Sequence, residues 1–434
     1  MAEQLRVGLL GCGNVGAAVV RMLHDHAEEI TRRSAARVVV TRVGVRDPDR
    51  DRRVPMDREL FTSDLRSIVA DSNVDVVVEL LGGIEPARSL MLEAFAAGKP
   101  VVTANKELLS THSLELFREA GRRGVDVLYE ASVGGGIPLI RPLREGLAGD
   151  RIDRFMGIVN GTTNFVLTRM AEDGLDLDQA VAEAQSLGYA EADPSADIDG
   201  DDAAAKAAIL ATIAFDTPVV ADDVYREGIR HVAAADVAYA HGLGYVIKLL
   251  AIGESSDDEV SVRVHPTMLP VEHPLASVRD SFNAVFLEGQ KVGPLMLYGR
   301  GAGGDPTATS VVGDVIELAR NRAAGGGFGA PLVAHTPDRP RGRIKPIEEL
   351  SAQYYILLRV ADRPGVLAAI AGSFAEHDVS IKSVRQEGHG DEAQLVLITH
   401  RASEGSLRQC VTDLATLEAV QSVTSVLRVE GGEP

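Results

Sequence analysis

Short apolar runs alternate with stretches of helical spacing through the first third of the chain. "RVGLL" (6–10) reads as a buried strand, and "AAVVRMLHDHAEEI" shortly after it repeats apolar positions as one face of a helix would. "ARVVVTRVGV" (36–45), "VDVVVEL" (74–80), "VVTA" (101–104) and "VDVLYEA" (125–131) are further strands, with "PARSLMLEAFAAGK" and "LELFREAGRRG" as helices between the later ones. Strands separated by helices predict a parallel sheet with right-handed crossovers. Between 240 and 300 the pattern changes. "YVIKLLAIG", "EVSVRVHPTML" and "FNAVFLEG" alternate apolar and polar residues, as an open sheet with one face available to a partner subunit. His265, ahead of Pro266, reads as a loop residue rather than a ligand. A helix is predicted at "DPTATSVVGDVIELARN" (305–321), and the Gly-, Pro- and Arg-rich "RAAGGGFGAPLVAHTPDRPRGRIKP" (322–346) reads as a linker. Beyond it the order is strand, helix, strand, strand, helix, strand, the β-α-β-β-α-β arrangement of a split βαβ module.

The 434 residues suffice for about three domains. Apolar residues at 45% and charged residues at 25% fit a globular chain with ample core. A net charge of −19 leaves no basic excess to neutralise phosphates, so nucleic acid is not an expected partner. No apolar run approaches the roughly 20 residues of a membrane helix, and the N-terminus resembles neither a signal nor a transit peptide. No membrane partner is expected. Cys12 and Cys410 match no metal-ligand spacing, which favours a reducing cytoplasm.

"GCGNVG" (Gly11 to Gly16) sits between the first strand and the first helix, where a dinucleotide fingerprint must lie. Gly11 permits the tight turn, Gly13 lets the backbone approach a pyrophosphate, and Gly16 lets helix and strand pack closely. Asn14 and Val15 complete the cofactor turn, and the anion meets N–H groups at the helix start. The second strand ends in Arg46-Asp47 with no acid before Arg46. An acid there would take a ribose 2′-hydroxyl, whereas an arginine suits a 2′-phosphate, so NADP(H) is favoured over NAD(H). "TANKELL" (103–109) puts Lys106 at the carboxyl end of the sheet, where ligands bind in such folds.

"SADIDGDDAAAKAAIL" (195–210) sets Asp197, Asp199, Asp201 and Asp202 just ahead of a single cation, Lys206. Helix chemistry alone would explain this, since acids suit a helix N-terminus and Asp202→Lys206 is an i,i+4 pair worth roughly 0.2–0.5 kcal/mol. The alternative is an amino-acid site with a catalytic lysine. "GCGNVG", "TANK", "YEASVGGGIP", "NGTTNF", "GYAEADPSADIDGDDAAAKA" and "GRGAGGDPTA", in this order to about residue 320, resemble the homoserine dehydrogenases. "DRPGVLAAIA", with Gly365 at the turn into a helix, resembles an ACT domain.

The resemblance implies a monofunctional homoserine dehydrogenase, no kinase-sized segment preceding residue 1, that interconverts L-homoserine and L-aspartate 4-semialdehyde in threonine, methionine and isoleucine biosynthesis. It implies an α/β chain in five parts: a Rossmann-type nucleotide domain (1–135), an α+β catalytic and dimerisation domain (136–304), a helix returning to the nucleotide domain (305–322), a linker (323–350) and a ferredoxin-like ACT domain (351–434). Carried over by motif, Lys206 is the general acid/base and Asp197 lies close to the reacting group. Glu191 and Asp202 bind the substrate ammonium. Lys106 faces substrate and cofactor, and Gly188 and Gly303 lie beside the cofactor. A monovalent cation, Na+ or K+, is implied near Glu130, Val133, Gly135 and Ile137, held largely by backbone carbonyls. The acids around Lys206 favour its ammonium form and suit it to donate a proton in the reductive direction. The ACT resemblance implies a homodimer or homotetramer, and either a purely structural dimerisation module or an L-threonine effector near the first helix start and Asp378-Val379-Ser380.

Three rivals are weaker. Semialdehyde dehydrogenases need a nucleophilic cysteine, which neither Cys12 nor Cys410 is placed to supply. Glucose–fructose-oxidoreductase-like enzymes lack the acid-rich 191–206 stretch. A non-catalytic amino-acid sensor has no use for Lys106, Glu191, Asp202 and Lys206 together.

Overall fold

The computed structural model describes residues 3–257, 259–324, 342–388 and 393–431. The chain forms two compact units. The first comprises Met1–Asp153, Ala205–Asp223 and Glu288–Gly342, and the second Arg154–Ala204, Val224–Leu287 and Arg343–Pro434.

In the first unit six parallel strands lie in the order Phe61–Thr62, Ala36–Gly44, Glu3–Leu10, Val76–Glu79, Val101–Thr103 and Val127–Leu128. That is the 3-2-1-4-5-6 order of a doubly wound nucleotide fold. The outermost two-residue strand, Phe61–Thr62, is absent from the sequence reading because so short a run carries no periodicity. The first helical stretch divides at His26 into Asn14–Asp25 and Ala27–Ser34. Val76, Val77 and Val78 are fully buried, as strands covered on both faces require. The helix Gly304–Ala323 supplies Ala308, Val311, Val315 and Leu318 to the same core as Val7, Leu9 and Val19. An added Cβ at Gly304 would lie 3.1 Å from the carbonyl oxygen of Asn14, so the helix approaches the glycine turn closely here.

The second unit is built on one long sheet: Phe282–Gly289, Ile152–Ile158, Tyr245–Ser256, Glu259–Pro270, Val420–Val429, Ser351–Val360, Ala393–Thr399 and Ile381–Glu387. Glu259–Pro270 pairs antiparallel with Tyr245–Ser256 along its full length. Its other edge is shared along the strand by three short parallel partners: Arg343–Ile344, Tyr225–Arg226, and the end of Val420–Val429. The last of these fuses the C-terminal βαββαβ module to the middle sheet. Arg263, buried in that edge, donates to Glu254 (3.0 and 3.2 Å) and to Glu430 (2.9 Å), binding the strand to the chain's last segment.

Two sequence readings change. His265 is no loop residue: it lies within Glu259–Pro270, fully buried, with Nδ1 2.8 Å from the Thr267 hydroxyl, and burial holds its ring far toward the neutral form. The prolines at 266 and 270 suggested a loop, but short partners on one side leave edge positions where a missing N–H costs nothing. Of the stretch read as a linker, 325–341 lies outside the described residues, while Arg343–Ile344 pairs with Glu259 and Val260.

Lys248 is buried in the second unit, its Nζ donating to Asn164 Oδ1 at 3.0 Å and to the carbonyl of Val278 at 2.6 Å. Burial lowers its pKa from 10.5 to about 8. Above that value the unfolded chain holds a proton the folded chain has lost, so stability rises with pH from about 8 toward 10.5. The full rise is about 3 kcal/mol. Guanidinium chloride unfolding between pH 8 and 10 should show this slope in the native protein and a flatter profile in Lys248→Met; parallel profiles would exclude it.

Candidate active site

Two constellations emerge, one in each unit. In the first, a groove of about 1020 Å³ opens along the carboxyl end of the parallel sheet, lined by Gly11, Gly13, Asn14 and Arg46 among others. Gly11 has φ +97° and donates its N–H to the Gly44 carbonyl at 2.8 Å, tying the glycine turn to the tip of the second strand. A Cβ on Gly16 would overlap the Gly11 carbonyl oxygen, so the helix can abut the turn only without one. A Cβ on Gly13 meets nothing within 4 Å, the open space a pyrophosphate needs. Val15, Gly16, Lys106 and Gly303 lie outside the groove lining, and Gly188 belongs to the second unit. Cys12 is buried there with its thiol pKa raised by burial, and Cys410, also free and buried, is pushed up to about 11.

The groove also holds residues the sequence reading missed. Arg50, Arg52 and Arg53 join Arg46 on its wall, with Asp47 and Asp51 interspersed. Arg52 braces the loop by donating to the carbonyls of Arg50 and Asp47, both at 2.8 Å. The run "RDPDRDRR" signals a charged loop, but only folding shows that its arginines face a cavity.

Glu79, likewise missed, ends an otherwise apolar strand, and that lone acid was the available signal. Its carboxylate accepts the Thr103 hydroxyl at 2.6 Å and the Leu81 N–H at 2.7 Å. Burial raises its pKa. Asn105 then donates to the Gly83 carbonyl at 2.7 Å and caps the helix Lys106–Arg123 by accepting from Leu108 at 3.1 Å. Lys106, the exposed first residue of that helix, is thus set on a braced corner.

Glu130 is buried in the same unit. Its carboxylate accepts from three successive N–H groups, Leu139 (2.6 Å), Ile140 (2.8 Å) and Arg141 (2.7 Å), capping the short helix that runs into a π-turn at Pro142–Gly146. Helix begins at Ile140, two residues after Pro138. Gly134 and Gly135 take left-handed conformations, and the Gly135 carbonyl accepts the Ser310 hydroxyl at 2.6 Å. Val133 and Ile137 are buried beside them. No group of three His, Cys, Asp or Glu side chains with metal-binding geometry occurs among the described residues.

In the second unit Asn160 caps the helix Gly161–Asp173, its Oδ1 accepting the Thr163 N–H at 2.8 Å. That leaves its amide nitrogen to donate to Asp197 Oδ1 at 2.6 Å and to Asp202 Oδ2 at 2.8 Å. One –NH2 group therefore gathers both carboxylates. The other two aspartates of the stretch are spoken for: Asp199 pairs with Arg230 (2.7 Å) and Asp201 with Arg226 (2.6 Å). Asp202 is buried in the first turn of Asp201–Ala214; Lys206, half-buried one turn further along the same helix, is counted with the first unit. Glu191 is exposed, in a loop braced by the Gln185 side chain, which donates to its carbonyl at 3.0 Å. Gly188, in that loop, has φ +77°.

In the C-terminal module a cavity of about 240 Å³ adjoins the start of the helix Val366–Glu376, lined by Asp362, Arg363, Gly365 and Gln386 among others. Asp378, Val379 and Ser380 do not line it.

Family models described as "Homoserine dehydrogenase, NAD binding domain", "Homoserine dehydrogenase" and "ACT domain" match residues 11–130, 138–316 and 354–419. A homoserine dehydrogenase of Mycobacterium tuberculosis is 49% identical over 98% of this chain and 97% of its own. The chain belongs to the homoserine dehydrogenase family. The enzyme of Corynebacterium glutamicum is 46% identical over 98% of this chain and 95% of its own. The crystal structure of a homoserine dehydrogenase from Thiobacillus denitrificans superimposes with a TM-score of 0.93 at 41% identity, covering 99% of this chain and 98% of that one. A hyperthermophilic archaeal homoserine dehydrogenase solved in complex with NADPH aligns with a TM-score of 0.62 at 28% identity, over 72% of this chain and 97% of its own. Like its family, the chain is an NAD(P)-dependent oxidoreductase with a nucleotide-binding sheet and a C-terminal ACT domain.

The two central glycines make opposite predictions. Gly13→Ala should leave stability within about 0.5 kcal/mol of the native value, since it meets no neighbour, yet weaken coenzyme binding. Gly16→Ala should cost about 1–3 kcal/mol by overpacking. Thermal unfolding beside coenzyme titration checks both, and equal effects in the two variants would refute the assignment.

Proposed function

We propose that the protein oxidises L-homoserine to L-aspartate 4-semialdehyde, and runs the reverse reduction, with Lys206 moving the proton. The observation carrying this reading is the pair of carboxylates on one amide nitrogen, Asp197 and Asp202 on Asn160. Two carboxylates gathered on one donor present acceptor oxygens that suit a substrate ammonium better than a neutral ligand. Glu191 adds a third acid to the same unit and Lys106 a cation for the substrate carboxylate. Asp197, next to the Asn160 amide, acts closest to the reacting group. Lys206, one helical turn beyond Asp202, is suited to give the carbonyl oxygen a proton in reduction and to take it from the hydroxyl in oxidation.

The bound nicotinamide supplies the hydride acceptor or donor. Gly11, Gly13, Asn14, Val15 and Gly16 form the turn that would hold its pyrophosphate, with Lys106, Gly188 and Gly303 as further contacts. NADP(H) is the preferred form. Within the loop 46–53 on the groove wall, Arg46, Arg50, Arg52 and Arg53 outnumber Asp47 and Asp51, and a 2′-phosphate is a ligand that this local cluster of guanidinium groups suits. The NADPH complex of the archaeal relative is in keeping with this. Glu130, Val133, Gly135 and Ile137 would hold a monovalent cation, Na+ or K+, through backbone carbonyls. The Glu130 carboxylate is already engaged by three N–H groups, so a hard, weakly charged ion on neutral oxygens fits the donor set. It would fix the backbone turn.

The ACT module is the expected seat of L-threonine, and the cavity at Asp362–Gly365 supports its helix-start end. Self-association as a homodimer or homotetramer is part of the same reading, carried over from the ACT resemblance. A reducing cytoplasm suits two free, buried thiols.

Purified protein with L-homoserine and NADP+ should generate absorbance at 340 nm, and Lys206→Ala should lower turnover about 10²–10⁴-fold with folding and coenzyme binding retained. Absence of turnover by the native protein with either coenzyme would overturn the reading and favour a sensor. Arg46→Ala should raise the KM for NADP+ roughly tenfold, the loss of about 1.4 kcal/mol, and leave that for NAD+ unchanged. Equal changes for the two coenzymes would remove Arg46 from 2′-phosphate recognition.

A further inference from the structure

Arg428 lies near the end of the last strand of the ACT module, its side chain 7% exposed. It forks between two carboxylates. On its own module it donates to Glu404 through Nε (3.0 Å) and Nη2 (2.7 Å). Across the shared sheet edge it donates to Glu227 through Nη1 (2.9 Å) and Nη2 (3.1 Å). Its guanidinium also stacks over the Tyr225 ring, 5.2 Å from the centroid, and the Tyr225 hydroxyl donates in turn to Glu227.

Glu227 occupies the middle of a segment that grips the acid corner. Arg226 pairs with Asp201 at 2.6 Å, and Arg230 holds Asp199 with two bonds of 2.8 and 2.7 Å. The Ile229 N–H donates to the Ile198 carbonyl at 2.8 Å. Gly228 packs so closely on Ile198 and Asp199 that a Cβ there would overlap their backbone. Residues 198–201 are therefore held against 226–230 on several sides, and the acids immediately flanking them are Asp197 and Asp202. A planar five-donor fork is what lets one side chain hold two carboxylates at once, and lysine cannot reproduce it.

We propose that Arg428 is a positioning residue for the substrate acids: through Glu227 it sets segment 226–230, which fixes where Asp197 and Asp202 stand. The ACT module thus supports the substrate site mechanically. This rests on the reading of Asp197 and Asp202 as substrate acids, and it goes beyond that reading by placing their support in another domain.

The test compares the full-length native protein with Arg428→Lys, Glu227→Gln and Asp202→Asn, measuring KM for L-homoserine and for the coenzyme separately, with thermal unfolding alongside. Arg428→Lys and Glu227→Gln should each raise the L-homoserine KM about three- to tenfold and leave the coenzyme KM unchanged. Glu227→Gln leaves the buried Arg428–Glu404 pair intact, so it answers even if the Arg428 variant does not fold. A raised L-homoserine KM in Asp202→Asn with none in Glu227→Gln overturns the proposal while leaving the site reading standing. An unchanged KM in Asp202→Asn removes the acid reading, and the proposal with it. A lowered melting temperature with both KM values unchanged in Glu227→Gln marks a purely structural role and also overturns it.

Discussion

Asp197 and Asp202 share the amide nitrogen of Asn160, and that one donor sets where both acids stand. The neighbouring acids, Asp199 and Asp201, pair instead with Arg230 and Arg226 and so point to other partners. Asn160 can serve both acids because its carbonyl oxygen is turned the other way, into the N-cap of the helix Gly161–Asp173. One side chain thus ends a strand, starts a helix and gathers the acids.

The same device recurs. Glu79, Glu130 and Glu404 are buried carboxylates, and each accepts from donors on separated segments or successive N–H groups. A buried carboxylate with its oxygens satisfied is costly to disturb, because removing one donor strands a charge in a poorly solvated place. Such hubs suit loops whose backbone N–H groups have no regular secondary-structure partner. The "TANK" corner and the "SVGGGIP" turn are two examples, and each is built around its own acid.

The relation of the ACT module to the middle domain follows from one strand edge. Glu259–Pro270 carries prolines at 266 and 270 and is served on one side by three short partners instead of a single long one. Each partner comes from a different part of the chain: the segment after the acid helix, the segment leading into the module, and the module's last strand. Bringing Tyr225–Arg226 and Val420–Val429 to the same edge sets Glu227 beside Arg428. A regulatory module joined this way is part of the sheet, in contrast to one tethered by a flexible linker.

Periodicity and turn chemistry are local, so the sequence by itself determined the parallel nucleotide sheet, the glycine turn between its first strand and helix, the βαββαβ order of the last eighty or so residues, and the family. It also marked Lys206 and its aspartates as unusual. Spacing alone did not separate Asp197 and Asp202 from Asp199 and Asp201, since all four sit in one polar run; the family motif singled out the first two, and the structure adds the partners that distinguish them, Asn160 or an arginine. Nor did it place His265, whose neighbouring prolines mimic a loop until the sheet supplies edge positions for them. The arginines of the groove, the Glu79–Thr103 contact and the Arg428 fork all depend on residues tens to hundreds of positions apart. Contacts of that range leave no periodic trace in the chain, and only the tertiary structure decides them.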